Sequence, residues 1–147
     1  MPKSVHRVFS QANRSLVSSI AAISAITLLE CLLVLAGAVP PVYGLSVPSV
    51  AFVAFQLIVL SYAACACRSN ILKASRIGGL LFLVGSSLLV VLSFAIRSIG
   101  GPGVLGITVR GLVAELLVYA AIILGSFLFG AVVAALVAYA NSHLGRV

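Results

Sequence analysis

Residues 111–140 read GLVAELLVYAAIILGSFLFGAVVAALVAYA, and this stretch decides the fold. It contains a single charged residue, Glu115. A helix of about 20 apolar residues crosses the hydrocarbon core of a bilayer, so this stretch is long enough to span the membrane and protrude from it. The sequence therefore predicts a transmembrane helix over 111–140.

One face of this predicted helix carries a small residue at every fourth position. Small residues at this spacing let two membrane helices approach closely, so that dispersion contacts replace the missing hydrophobic driving force. We expect this small-residue stripe to pack against another helix, either in a second copy of the chain or in another membrane subunit. The stripe consists of Ser126, Gly130, Ala134 and Ala138.

The composition of the whole chain indicates a membrane protein. Of its 147 residues 63% are hydrophobic and 7% are charged, and its mean hydropathy is +1.31. Soluble domains carry about 25% charged residues. Nine basic residues face only two acidic ones, but they flank apolar stretches, so topology and anionic lipid headgroups explain them better than nucleic acid does. We expect one membrane domain, residues 1–147, with the lipid bilayer as its first partner and no nucleic-acid partner.

Three further apolar stretches precede residues 111–140. They cover 16–39, 49–67 and 77–96, and Pro40 and Pro41 follow the first of them. Each is long enough to cross a bilayer. The sequence therefore predicts an all-α membrane protein, a bundle of four antiparallel transmembrane helices.

The first fifteen residues, MPKSVHRVFSQANRS, are polar and basic. Their apolar residues follow the i, i+3, i+4, i+7 spacing of one helix face, and the basic residues lie mostly elsewhere on the helix. This pattern is typical of a short amphipathic helix on the membrane surface.

The distribution of Lys and Arg predicts the orientation of the chain. Seven of the nine lie before the first span, between the second and third spans, and after the fourth. The other two connectors hold only Arg97 and Arg110. By the positive-inside rule, both termini of a multi-pass cell-membrane protein with this pattern are cytoplasmic. The basic residues that we expect at anionic lipid headgroups are Arg14, Arg68, Lys73 and Arg76.

The two connectors on the other side resemble each other. VYGLSV at 42–47 matches VLGITV at 104–109. Two tandem helical hairpins, related by an axis along the membrane normal, would produce such a repeat.

Polar side chains inside the spans form the candidate site. At 1.5 Å per residue, Glu30 lies about 13 Å below the outer end of the first span, with Thr27 on the same face, and Gln56 lies about 10 Å below the outer end of the second. Glu115 lies about 7 Å inside the fourth span, and Tyr119 is one turn deeper. The sequence thus predicts an intramembrane polar site in the outer half of the protein. A carboxylate at bilayer depth costs at least about 2.5–3.5 kcal/mol, so each acidic residue needs an explanation.

Two interpretations of this site stay open. In the functional one, Glu30, Gln56, Glu115 and Tyr119 form a hydrated pocket, open to the outside, that binds a proton, a cation or a cationic solute. In the structural one, Glu30 forms a hydrogen bond with Gln56 or with a partner subunit, and Arg110 or Arg97 balances the charge of Glu115.

The motifs of common catalytic sites are missing from the sequence. It has no His/Cys/Asp cluster with zinc-ligand spacing, no glycine-rich phosphate loop and no CxxC motif. We therefore expect no metal, no cofactor and no enzymatic activity. The favoured function is that of a non-catalytic membrane subunit or scaffold that associates through the small-residue stripe. The alternative is a proton- or cation-coupled carrier of a small solute, centred on Glu30.

Overall fold

The computed structural model describes residues 3–42, 46–67, 70–100, 103–107 and 111–144, with side chains described from residue 15 to residue 143. Within these ranges the chain forms four helices and no strand. Each helix contains an apolar stretch long enough to cross a membrane. This confirms the prediction of an all-helical protein with four helices capable of spanning a bilayer. The helices are α1 (Lys3–Leu35), α2 (Val47–Cys65), α3 (Ile71–Ser98) and α4 (Leu112–Leu144).

The basic N-terminal segment and the first span form one helix. We expected a separate short helix over the first fifteen residues, but α1 is continuous from Lys3 to Leu35, because no glycine or proline interrupts it. It ends earlier than the predicted residue 39. Gly37 has a φ of +69°, and the N–H of Ala38 donates to the carbonyl of Leu33 at 3.0 Å, so a glycine turn ends the helix before the two prolines.

Side-chain caps set the starts of α2 and α3. The Ser46 hydroxyl accepts a hydrogen bond from the backbone N–H of Ser49 at 3.3 Å. The Asn70 side chain accepts one from the N–H of Lys73 at 3.0 Å. Both helices therefore begin before the predicted spans 49–67 and 77–96, and α2 also ends two residues earlier, at Cys65.

Two groups of buried apolar residues hold the helices together. The first core cluster receives buried residues from all four helices, mainly from the C-terminal parts of α2 and α4 and from the N-terminal half of α3. The second core cluster draws its described residues from α1, α3, α4 and the connectors, and none from α2. The buried members of the first are Ile23, Leu60, Ala63, Ala64, Cys67, Ala74, Leu81, Ala134 and Ala138. Those of the second are Cys31, Val34, Val39, Leu89, Val90, Val104, Leu105 and Tyr119.

The closest helix–helix contact joins α3 and α4 at two glycines. A Cβ atom added to Gly130 would lie 2.5 Å from the carbonyl oxygen of Gly78 and 2.8 Å from Cβ of Phe82. A Cβ atom added to Gly78 would overlap both Gly130 and Ala134. The two backbones therefore touch, as small residues in membrane helices permit.

The α1–α2 and α3–α4 connectors also contact each other. The N–H of Val42 donates to the carbonyl of Val104 at 3.0 Å. Gly106 has a φ of +70°, and a Cβ atom there would lie 2.6 Å from Cβ of Pro41. We call this side of the molecule, marked by these four residues, the connector end.

A candidate intramembrane binding site

A cavity of about 280 Å³ lies among the four helices. Each helix contributes at least one polar side chain to its lining: Thr27 and Glu30 from α1, Gln56 from α2, Ser86 from α3 and Ser126 from α4. Three of these residues, Thr27, Glu30 and Gln56, belong to the polar site predicted from the sequence. The structure therefore places these three predicted residues around one space.

Glu30 is the only charged residue that lines the cavity among the described residues. It is 4% exposed, and the hydrogen bonds and ion pair found in the described part of the chain do not include its carboxyl group. The hydrogen bond with Gln56, one of the two options in the structural interpretation, is absent from the described residues. The other option, a hydrogen bond with a partner subunit, stays a prediction. The carboxyl oxygens therefore retain their hydrogen-bonding capacity for whatever occupies the cavity.

Two hydroxyl groups add further acceptors to the lining. The Thr27 hydroxyl donates its proton to the carbonyl of Ile23 at 2.9 Å, and the Ser86 hydroxyl donates to the carbonyl of Leu83 at 3.2 Å. A hydroxyl has one proton and two lone pairs, so each oxygen has only acceptor capacity left. Together with the Glu30 carboxyl, these oxygens favour an occupant that carries positive charge or donates hydrogen bonds.

Two phenylalanines form part of the apolar wall. Phe82 on α3 and Phe129 on α4 both line the cavity, with ring centroids 5.6 Å apart and ring planes inclined by 58°. The faces of aromatic rings attract cations, most strongly where water is excluded. Nothing in the sequence distinguishes these two phenylalanines, because phenylalanine is an ordinary residue in an apolar membrane helix.

Glu115 and Tyr119 lie in a different place from the cavity. The Glu115 carboxylate accepts hydrogen bonds from Nη1 of Arg97 at 2.7 Å and from the Tyr119 hydroxyl at 2.6 Å. Neither Glu115 nor Tyr119 lines the cavity. The predicted polar site is thus divided into a cavity group and this Arg97–Glu115–Tyr119 cluster, which ties the end of α3 to the start of α4. Arg110, the other partner considered for Glu115, lies outside the described residues.

The small-residue stripe packs inside this chain. Ala134 and Ala138 are fully buried in the first core cluster. Gly130 contacts α3 at Gly78, and Ser126 lines the cavity. These residues therefore pack between α4 and the rest of the same chain. Their association with a second copy or with another subunit stays a prediction.

The basic residues assigned to lipid headgroups are described only in part. Lys73 and Arg76 lie exposed near the start of α3, whereas Arg68 and the side chain of Arg14 fall outside the described residues. Their contact with anionic lipid stays a prediction. In the described ranges, His, Cys, Asp and Glu side chains form no group of three that could hold a metal ion.

Comparisons with protein-family models, with curated proteins and with solved structures find no match for this chain. Its function has therefore to be inferred from the chemistry of its own residues. What the structure shows is a small integral membrane protein with four helices long and apolar enough to cross a bilayer.

Proposed function

We propose that this protein is a proton- or cation-coupled carrier of a small solute, with Glu30 as the binding group. One observation carries this proposal. A buried carboxyl group, for which the described residues supply no hydrogen-bond partner, faces a cavity lined by all four helices. Ionisable groups inside a membrane domain mark ion and solute pathways in many transporters.

The energetic argument favours a functional role for Glu30 over a structural one. Placing a carboxyl group at this depth costs at least about 2.5–3.5 kcal/mol on insertion scales. A structural role would offset this cost with hydrogen bonds inside the protein, but none is made by the described residues. A bound cation or proton would supply the missing interaction, because it neutralises the carboxylate directly.

The packing of the stripe weakens the case for a scaffold. That hypothesis was favoured because the chain is small, has minimal loops and lacks a catalytic constellation, and the small-residue stripe was the face assigned to the association. Gly130 instead contacts Gly78 of the same chain, and Ala134 is buried within it. Association with other subunits would have to use a different face, so the carrier becomes the first hypothesis.

The topology that we propose for this carrier is four antiparallel spans with both termini in the cytoplasm. The Lys and Arg distribution supports it. So does the contact between the two connectors, because Val42 and Val104 can meet only if the end of α1 and the end of α3 lie on the same side. The connector end is then the outer side of the cell membrane. The pairing of α1 with α2 and of α3 with α4 as tandem hairpins belongs to the same proposal.

The replacement Glu30→Gln tests the carrier directly. It keeps the size and hydrogen-bonding shape of the side chain and removes its ionisation. In proteoliposomes loaded with a pH-sensitive dye, the wild-type protein should release protons when monovalent cations are added, and Glu30→Gln should abolish this exchange. Cation binding should weaken as the pH falls, because the proton and the cation compete for the same carboxylate.

Glu115→Gln is the matched control, since it makes the same chemical change outside the cavity. It should retain the exchange. Equal exchange in wild-type and Glu30→Gln proteoliposomes would overturn the proposal, as would wild-type vesicles that exchange no faster than empty ones.

A further inference from the structure

The wall of the cavity between α2 and α4 is thin. Val53 on α2 and Phe129 on α4 both line the cavity, and their side chains are 46% and 48% exposed. A side chain that touches the cavity on one side and the surroundings on the other is the only layer between them. In a membrane-spanning protein those surroundings are the lipid chains.

Between the buried Ser49 and Leu60, the N-terminal half of α2 is only partly buried. Leu57 and Val59 pack against the first core cluster without being fully buried. From residue 50 to residue 59 no position of α2 is buried, although a helix that packs along one face buries a position every three or four residues. The helix is fixed further along, where Leu60, Ala63 and Ala64 enter the first core cluster. This half of α2 therefore borders the cavity without closing it by tight packing.

The depth of this thin wall places it inside the hydrocarbon layer. Phe129 lies about 26 Å along α4 from Leu112, close to the middle of that helix, and Val53 lies about 9 Å along α2 from Val47. The other route, through the connector end, leads past Val42, whose N–H is bonded to the opposite connector at Val104. Among the described residues, the route along the helix axes therefore meets this backbone hydrogen bond at the connector end.

We propose that the cavity opens sideways to the lipid between α2 and α4, and that its occupant is a lipophilic amine. This inference rests on the proposed function, since it names the class of cation that Glu30 binds. The ammonium group would lie at the Glu30 carboxyl, and the apolar body would lie against the paired rings of Phe82 and Phe129. A cavity of about 150 Å³ accommodates a benzene molecule, so 280 Å³ accommodates one aromatic ring with a short alkylammonium chain.

Three cations of different hydrophobicity test the occupant. Binding of 4-phenylbutylammonium, methylammonium and sodium to the full chain in lipid nanodiscs would be measured by titration calorimetry. The phenylbutyl cation should bind at least about tenfold tighter than methylammonium, because only its ring can contact the two phenylalanines. Phe129→Ala should remove most of this advantage by weakening the binding of the phenylbutyl cation far more than that of methylammonium. Phe55→Ala, at an exposed phenylalanine outside the cavity, should change neither.

The route is tested by filling the thin wall. Val53→Trp should slow the uptake of 4-phenylbutylammonium several-fold relative to the wild-type protein. Val50→Trp should not slow it, because Val50 is exposed on the same helix but does not line the cavity. Equal rates in the two variants would overturn the sideways route.

The failure of this inference can be told from the failure of the carrier. If sodium or methylammonium binds in a Glu30-dependent way but the phenylbutyl cation binds no tighter than methylammonium, the proposed lipophilic occupant is wrong and the carrier proposal stands. If none of the three cations binds in a manner that Glu30→Gln abolishes, the carrier itself is wrong.

Discussion

Replacing Gly130 by alanine tests the contact on which the packing of this protein depends. Gly130 and Gly125 lie on the same helix, and both are glycines within the apolar part of α4. A Cβ atom at Gly125 would meet nothing within 4 Å, whereas one at Gly130 would press against the backbone of α3. The same substitution at the two positions should therefore have opposite effects on stability.

The magnitude follows from the geometry. The new Cβ atom would lie 2.5 Å from the Gly78 carbonyl oxygen, about 0.9 Å inside the ordinary contact distance of 3.4 Å. A backbone carbonyl in a helix cannot rotate away, so we expect the upper end of the usual overpacking cost, about 3 kcal/mol. Alanine favours the helix over glycine by about 1 kcal/mol. Gly130→Ala should thus destabilise the protein by about 2 kcal/mol, and Gly125→Ala should stabilise it by up to about 1 kcal/mol.

Unfolding in mixed micelles measures this difference. The fraction of SDS would be raised stepwise and the loss of folded protein followed by circular dichroism, since the chain contains no tryptophan to report by fluorescence. Native-gel migration in mild detergent would be recorded for the same two variants. Our expectation is a lower SDS midpoint for Gly130→Ala at unchanged oligomeric state.

Two outcomes would refute this reasoning. If Gly130→Ala and Gly125→Ala unfold at the same midpoint, the α3–α4 contact is not as close as described. If Gly130→Ala leaves the midpoint unchanged but dissociates an oligomer, the stripe packs between chains, as we first expected from the sequence.

Two further predictions concern the polar cluster and the topology. Tyr119→Phe should destabilise the protein by about 1 kcal/mol in the same SDS titration, because it removes the hydrogen bond to Glu115. Tyr62→Phe is the control and should have no effect, since this tyrosine is 65% exposed. Equal SDS midpoints for the two variants would contradict the prediction. The topology is tested by cysteine labelling in a chain whose native cysteines are replaced by alanine. A membrane-impermeant maleimide should label Ile99→Cys in intact cells, and Asn141→Cys only after the cells are permeabilised. The reverse result would invert the proposed topology.

Apolar length was sufficient to predict the number and type of helices. A stretch of about 20 apolar residues has few alternatives to a membrane helix, because lipid chains cannot form hydrogen bonds with exposed backbone N–H and C=O groups. The ends were harder to predict, since local contacts decide them. The turn at Gly37 ends α1 before Pro40, and Asn70 starts α3 within a connector that its basic residues had marked as polar.

Of the residues around the candidate site, only those that are polar within an otherwise apolar span could be predicted from the sequence. Glu30, Thr27 and Gln56 stand out because they are polar within apolar spans, and the structure places them around one cavity. The depth of a residue along its helix did not reveal which neighbours its side chain faces, because that depends on how each helix is rotated about its own axis. Glu115 was therefore grouped with Glu30, although its carboxylate faces Arg97.

The stripe shows a different limit of sequence reasoning. A repeat of small residues predicts that a helix is approached closely, but it does not identify the helix that approaches it. The partner residue, Gly78, follows Ala74 by four residues, but this repeat has only two members and does not single out α3. Only the three-dimensional arrangement shows that Gly130 meets it within the same chain.

Packing and binding are linked in this protein through Phe82. Its Cβ would lie 2.8 Å from a side chain at Gly130, so Phe82 is held directly over the closest contact between α3 and α4. The same residue lines the cavity, where its ring lies against that of Phe129, the neighbour of Gly130 in the chain. The tight glycine contact therefore fixes the distance between the two aromatic rings. Since no residue of α2 from 50 to 59 is fully buried, we expect the α3–α4 side of the cavity to be the more rigid wall.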